Sequence, residues 1–131
     1  MSQPRTKRAK CPHCEREFEY ERYHSGFGDE GYMYCDRDET VLTWNALKPA
    51  YGAIVPKLPW MLDANEQRRV ENGVKACPFG GHFAFANPPL CPYCYESIAF
   101  LVPDRIYYVV VGRRIDADAE DMWVTGTASN E

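Results

Sequence analysis

A chain of 131 residues and 15.1 kDa has room for one domain, or for two very small units sharing a scaffold. Apolar residues make up 45% and aromatics 14%, too much for a disordered chain, and no apolar run approaches the ~20 residues of a membrane helix. The net charge of −4, from 15 basic and 19 acidic residues, excludes a broad basic face of the kind that grips nucleic acid.

Residues 1–10 carry Arg5, Lys7, Arg8 and Lys10 and no acid. They read as a flexible basic arm with no apolar segment of the secretory kind, so a cytoplasmic location is expected. Cys11-Pro12-His13-Cys14 follows. Phe18 to Tyr23 alternates apolar and polar residues, the pattern of a half-buried strand. The turn cluster Ser25–Gly31 separates it from a short strand, Tyr32-Met33-Tyr34, that runs into Cys35. The order knuckle, hairpin, knuckle makes 11–39 a first metal-binding unit.

Residues 40–76 form an aromatic and proline-rich insert with a helix. Pro49, Pro56 and Pro59 break its first part, which has room for one helical turn at 41–47 and whose apolar side chains suit a core. The clearest helix is 63–73. Asp63 is its N-cap, Glu66 stands three residues on, and Gly73 can end it. The second metal-binding unit is 77–114: Cys77, Gly80-Gly81-His82, a short strand Phe83-Ala84-Phe85, Cys91-Pro92-Tyr93-Cys94, and the β-branched run Ile106–Val111. Residues 115–131 hold five acids and no lysine or arginine and read as an acidic tail, in which Met122-Trp123-Val124 can dock.

The six cysteines argue for metal. A disulfide framework needs a secreted context that the N-terminus does not offer. A thioredoxin-like redox pair needs a buried strand before its first cysteine, whereas Cys11 follows polar residues and Cys91 follows Pro88-Pro89-Leu90. Two thiolates spaced C-x2-C turn inward from one tight loop at about 2.3 Å from zinc. Two local sets use the most donors: Cys11, Cys14, Cys35 and Asp38, then Cys77, His82, Cys91 and Cys94. Asp38 stands at C-x2-C spacing from Cys35, but is also readable as a turn acid with His13, His24 or water as the donor. His82 is readable as a surface residue of a glycine-rich turn. A single shared site of Cys11, Cys14, Cys91 and Cys94, like a rubredoxin-type iron or zinc centre, is the alternative and leaves Cys35 and Cys77 over.

These motifs, with Tyr34-Cys35-Asp36 and Cys77-Pro78-Phe79-Gly80-Gly81-His82-Phe83 among them, resemble small bacterial zinc-ribbon proteins of uncharacterised role. The resemblance covers about 11–38 and 77–94. It implies two structural zinc ions, with Asp38 in place of a fourth cysteine in the first site and Phe79 in place of a second cysteine in the second.

The expected fold is therefore small, α+β and metal-stabilised, with two zinc-ribbon-like hairpin units, one short helix and a C-terminal strand. No catalytic triad, P-loop, HExxH or dinucleotide motif occurs, so an enzyme is not expected. The expected role is a zinc-binding structural or interaction module with a protein partner. The alternative is nucleic-acid binding through the basic arm and stacking of Tyr20, Tyr23, Phe27, Tyr32 and Tyr34. The acidic balance disfavours that alternative.

Overall fold

A computed structural model describes residues 6–25, 29–104 and 106–124. The expected α+β class and the two β-rich units hold. One sheet has strand order β1-β2-β6, from Thr6–Lys10, Glu17–His24 and Tyr107–Val110. The other has order β5-β3-β4-β7, from Phe83–Ala84, Glu30–Cys35, Val41–Asn45 and Arg114–Asp116. All of these pairings are antiparallel except β4 with β7. Two helices, α1 (Pro49–Ile54) and α2 (Ala64–Asn72), lie between β4 and β5 in sequence.

The β3–β4 hairpin has a core on each side because its side chains alternate. Met33, Leu42 and Trp44 face one core with Tyr51 of α1 and Trp123, while Tyr34 and Val41 face the other with Tyr108 and Val109. Rings join the two sheets in the second core. Tyr32 of β3 stacks on Tyr108 of β6 at 5.1 Å between centroids, and Tyr108 stacks in turn on its cross-strand partner Tyr23 of β2 at 5.5 Å.

Several local expectations change. Residues 6–10 of the basic arm are strand β1, paired with β2 from Thr6↔Glu21 to Lys10↔Glu17. Arg8 on this edge strand also pairs with Glu17 and Glu19 of β2, at 3.6 and 3.5 Å. Arg5 lies outside the described residues. The helical turn expected at 41–47 is instead β4, because Val41, Leu42, Thr43 and Trp44 are all buried and occupy a central strand. β2 and β3, expected to pair as one hairpin, belong to different sheets. The segment after Arg114 is no tail as far as residue 124. β7 pairs with β4, and Ala117, Met122 and Trp123 are buried.

The helix at α2 is as its sequence dictates. The Asp63 carboxylate accepts from the Glu66 amide at 2.8 Å, and the Glu66 carboxylate accepts from the Asp63 amide at 2.9 Å. This reciprocal box satisfies two N–H groups that the helix start leaves free. Gly73 is the C-cap.

Candidate metal centres

Among the described residues, three six-residue loops share one construction. Each begins on a cysteine whose amide donates to the carbonyl five residues on: Cys11 to Arg16 at 3.0 Å, Cys35 to Thr40 at 3.0 Å, and Cys91 to Glu96 at 2.9 Å. Each is closed by an antiparallel pair just outside it, Lys10↔Glu17, Tyr34↔Val41 and Leu90↔Ser97. In each, the amide two residues on points at the sulfur, from His13, Arg37 and Tyr93, all at 3.4 Å. Such N–H groups stabilise a thiolate, which is the ligand form of cysteine. Glu15 and Tyr95 take the left-handed conformation, at φ 63° and 62°, just after the second cysteine of their loops.

The three loops and the Cys77 turn meet in pairs, though not in the pairs that sequence proximity suggests. The first loop meets the last. The sulfurs of Cys11, Cys14, Cys91 and Cys94 lie within 4.8 Å of one another. Cys11 and Cys94 are 3.6 Å apart, and Cys14 and Cys91 are 3.8 Å apart. A tetrahedron with metal–sulfur bonds of about 2.3 Å has edges of about 3.8 Å, so the spacing suits a four-thiolate ion. Arg16 of the first loop also lies over the Tyr93 ring of the last, 3.8 Å from its centroid.

Cys11 and Cys94 are pulled in opposite directions. Burial raises the Cys11 thiol, but the amides of Cys14 and His13 and the neighbouring thiols outweigh it and take its pKa down to about 6. For Cys94 the Glu96 amide pulls down, while burial and the Cys11, Cys91 and Cys14 sulfurs together push its pKa up to about 12. A divalent cation at the centre is the charge that would let all four ionise.

The second loop meets the Cys77 turn. Ligand atoms of Cys35, Asp38 and Cys77 lie within 4.8 Å of one another, and all three residues are buried. Asp38 stands at the loop position that Cys14 and Cys94 hold in theirs. Its Oδ1 accepts the Thr40 amide at 2.8 Å, which leaves Oδ2 turned to the Cys77 sulfur at 3.6 Å. For zinc bonds of about 2.3 Å to sulfur and about 2.1 Å to oxygen, a tetrahedral S···O edge is about 3.6 Å. Burial raises the Asp38 carboxyl, and the Thr40 hydrogen bonds more than reverse this, so it stays below the ordinary carboxylate range. Burial pushes the Cys77 thiol up to about 12.

The structure thus brings together seven of the expected donors and redistributes them. The four-cysteine grouping is the shared site that stood as the alternative to two local sets. Cys35 and Cys77, left over in that alternative, make a further group with Asp38. His82 joins neither group. Its position pairs with Asp36, its amide donating to Asp36 Oδ1 at 2.9 Å, next to the register pair Cys35↔Phe83. Alternation therefore puts it on the exposed side, across from the buried Cys35 and Phe83. His13 and His24 are also exposed and outside both groups. Repeating loop lengths were the available signal for the true grouping. The sequence contains C-x2-C, C-x2-D and C-x2-C loops of one size, and one cysteine followed by two glycines.

Over residues 7–99 the chain matches DUF8255, a domain of unknown function. It belongs to that family. No curated protein and no solved structure matches the chain. The DUF8255 match takes in all seven candidate ligands, which span Cys11 to Cys94. Among the described residues, no helix is long and apolar enough to cross a membrane.

Proposed function

We propose that this DUF8255 protein is a zinc-binding structural module of the cytoplasm, resembling a zinc ribbon, that acts through protein–protein contacts and not as an enzyme. The observation that carries the metal reading is the convergence of two like loops, 77 and 83 residues apart in sequence for their contacting sulfurs, on one group of four cysteines whose sulfurs lie within 4.8 Å of one another. Four protein thiolates leave no coordination position for substrate, which favours a structural role at that centre. Zinc suits both donor sets, since it accepts carboxylate oxygen beside thiolate.

Protein contact is favoured over nucleic acid by where the aromatic and basic groups lie. Trp60 and Met61 are 63% and 49% exposed in the insert before α2, large apolar groups of the kind that anchor interfaces. Of the four tyrosines that would stack on bases, Tyr20 lies beside Phe18 and three are engaged with other tyrosines instead. Tyr34 is buried, Tyr32 packs against Tyr34 and Tyr108, and Tyr23 stacks on Tyr108. Phe27 lies outside the described residues. Arg8 of the basic arm is paired with Glu17 and Glu19 at 3.6 and 3.5 Å.

The test is zinc content and folding measured together on protein purified under reducing conditions. About two zinc ions per chain are expected, with loss of the near-ultraviolet circular dichroism on chelation. A chain that keeps its fold with no metal would overturn the reading. Trp60→Ala should keep zinc and fold but lose a protein partner captured from the native host. Salt-sensitive recovery of nucleic acid by both forms would favour the alternative.

A further inference from the structure

The two edges of the first sheet are finished differently. On β6 the outward groups are capped by β3 side chains: the Val109 amide donates to the Tyr34 hydroxyl at 3.0 Å, and the Tyr107 carbonyl accepts from the Tyr32 hydroxyl at 3.2 Å. On β1, the other edge, the register fixes which groups point out. The Cys11 amide bonds the Arg16 carbonyl, so alternation turns the backbone of Ala9 and Lys7 toward β2 and that of Lys10, Arg8 and Thr6 away from it. Among the described residues nothing bonds these outward N–H and C=O groups, and the three residues are exposed. β1 has five residues, whereas the outer strands of the second sheet, β5 and β7, have two and three. It is the longest strand edge in the fold and it is left open.

We infer that the free edge of β1 takes an extended segment of a partner protein as an added strand, with acidic residues on the face of Arg8 and Lys10. The backbone selects a peptide. Amides and carbonyls both point out along this edge, which matches another peptide chain, whereas a phosphate chain brings acceptors only. The side chains select acid. Residues 6–10 hold Lys7, Arg8 and Lys10 and no acid, and neither lysine has an ion pair among the described residues. β2 shows what β1 accepts on its paired side: Glu17, Glu19 and Glu21 stand opposite Lys10, Arg8 and Thr6, with Phe18 and Tyr20 opposite Ala9 and Lys7. A partner strand that alternates acidic with apolar residues repeats this pattern on the open side. A second copy of β1 does not, because antiparallel pairing about Arg8 sets Arg8 against Arg8, and like charges directly opposite are destabilising. This edge does not include Trp60, so the inference goes beyond the contact proposed there.

The experiment combines fluorescence anisotropy with amide hydrogen exchange by NMR on the full chain purified under reducing conditions, with a short peptide of alternating glutamate and valine as the probe. In the free chain the Lys7 and Ala9 amides should be protected and those of Arg8 and Lys10 should exchange fast. Saturating peptide should slow exchange at Arg8 and Lys10 by about tenfold or more. Arg8→Ala should weaken binding by up to about fivefold, the worth of one cross-strand charge pair. Arg8→Pro should abolish it, since it removes an outward N–H and no bond to β2. Absence of peptide binding would overturn the inference. So would binding that leaves Arg8 and Lys10 exchanging as before, which is charge attraction without strand pairing. Equal binding of a lysine–valine peptide, or tighter binding of single-stranded DNA in competition with the probe, would overturn it as well. Trp60→Ala should bind the probe unchanged, so failure at this edge and failure of the Trp60 contact are distinguishable.

Discussion

The hydroxyl of Tyr34 accepts a hydrogen bond from the amide of Val109 at 3.0 Å. Tyr34 lies on β3 of one sheet and Val109 on β6 of the other, and both are buried. Tyr34 directly precedes Cys35, and its backbone carbonyl accepts from the Asn87 side chain at 2.8 Å, ahead of the Cys91 loop. One residue thus ties together both sheets and the approaches to both candidate centres. Burial pushes its hydroxyl well above the ordinary tyrosine range.

Tyr34→Phe should destabilise the chain by about 1–3 kcal/mol, because it leaves the buried Val109 amide without an acceptor. Denaturant unfolding of the zinc-loaded protein should show a lower midpoint and an unchanged slope. An unchanged midpoint would mean that water replaces the hydroxyl.

Gly31→Ala should also destabilise. Gly31 pairs with Trp44 across β3 and β4, and a Cβ there would overlap the indole ring. Trp44 is only 2% exposed and is packed against Tyr51 and Trp123, so it has nowhere to retreat. Overpacking of this kind costs about 1–3 kcal/mol. Thermal unfolding with tryptophan fluorescence as the probe reads it.

Asp38 separates the two centres chemically. Asp38→Ala should reduce zinc from about two per chain to about one, since it leaves only Cys35 and Cys77 as side-chain donors. Asp38→Cys should retain both ions and make the second harder to remove by chelation, as a softer donor replaces a carboxylate oxygen. In the unaltered chain the centre with Asp38 should lose zinc first during a chelator titration. His82→Ala should leave zinc content unchanged, because the imidazole lies outside both donor groups. Metal analysis after gel filtration measures all four.

The α2 cap gives a pH dependence with a definite sign. Lys57, 2.7 Å from Glu66, and the Asp63 amide hold the Glu66 carboxyl below the ordinary glutamate range. Because the folded value is depressed, the stabilisation is complete above the unfolded value and is lost as pH falls through the folded one. The difference in stability between the unaltered chain and Glu66→Gln should therefore be present at neutral pH and vanish below the ordinary glutamate range. Asp63→Ala should cost about 1 kcal/mol at neutral pH through loss of the N-cap. Urea unfolding across the acid range measures both.

The pieces whose physics is local were legible in the order of residues. The capping box of α2 needs only Asp63 and Glu66 three residues apart, and the strands 18–23 and 106–111 follow from alternation and β-branching. The cysteines and Asp38 of the C-x2-C and C-x2-D loops were legible as candidate donors, because such a loop turns its donors to one side, whereas His82 was not distinguishable from a surface residue. Which loop meets which was settled only by long-range packing. Cys11 is 24 residues from Cys35 and 83 from Cys94, yet it lies beside Cys94, because β2 pairs with β1 and with β6 and not with β3. Val41–Asn45 became a strand for the same reason: β3 and β7 offered partners on both sides, and burial on both faces overrode a short helical reading. His82 was excluded by register, since pairing Cys35 with Phe83 turns the neighbouring residue outward. Such pairings are set by long-range burial and backbone hydrogen bonding, which leave no periodic trace within any one segment of the chain.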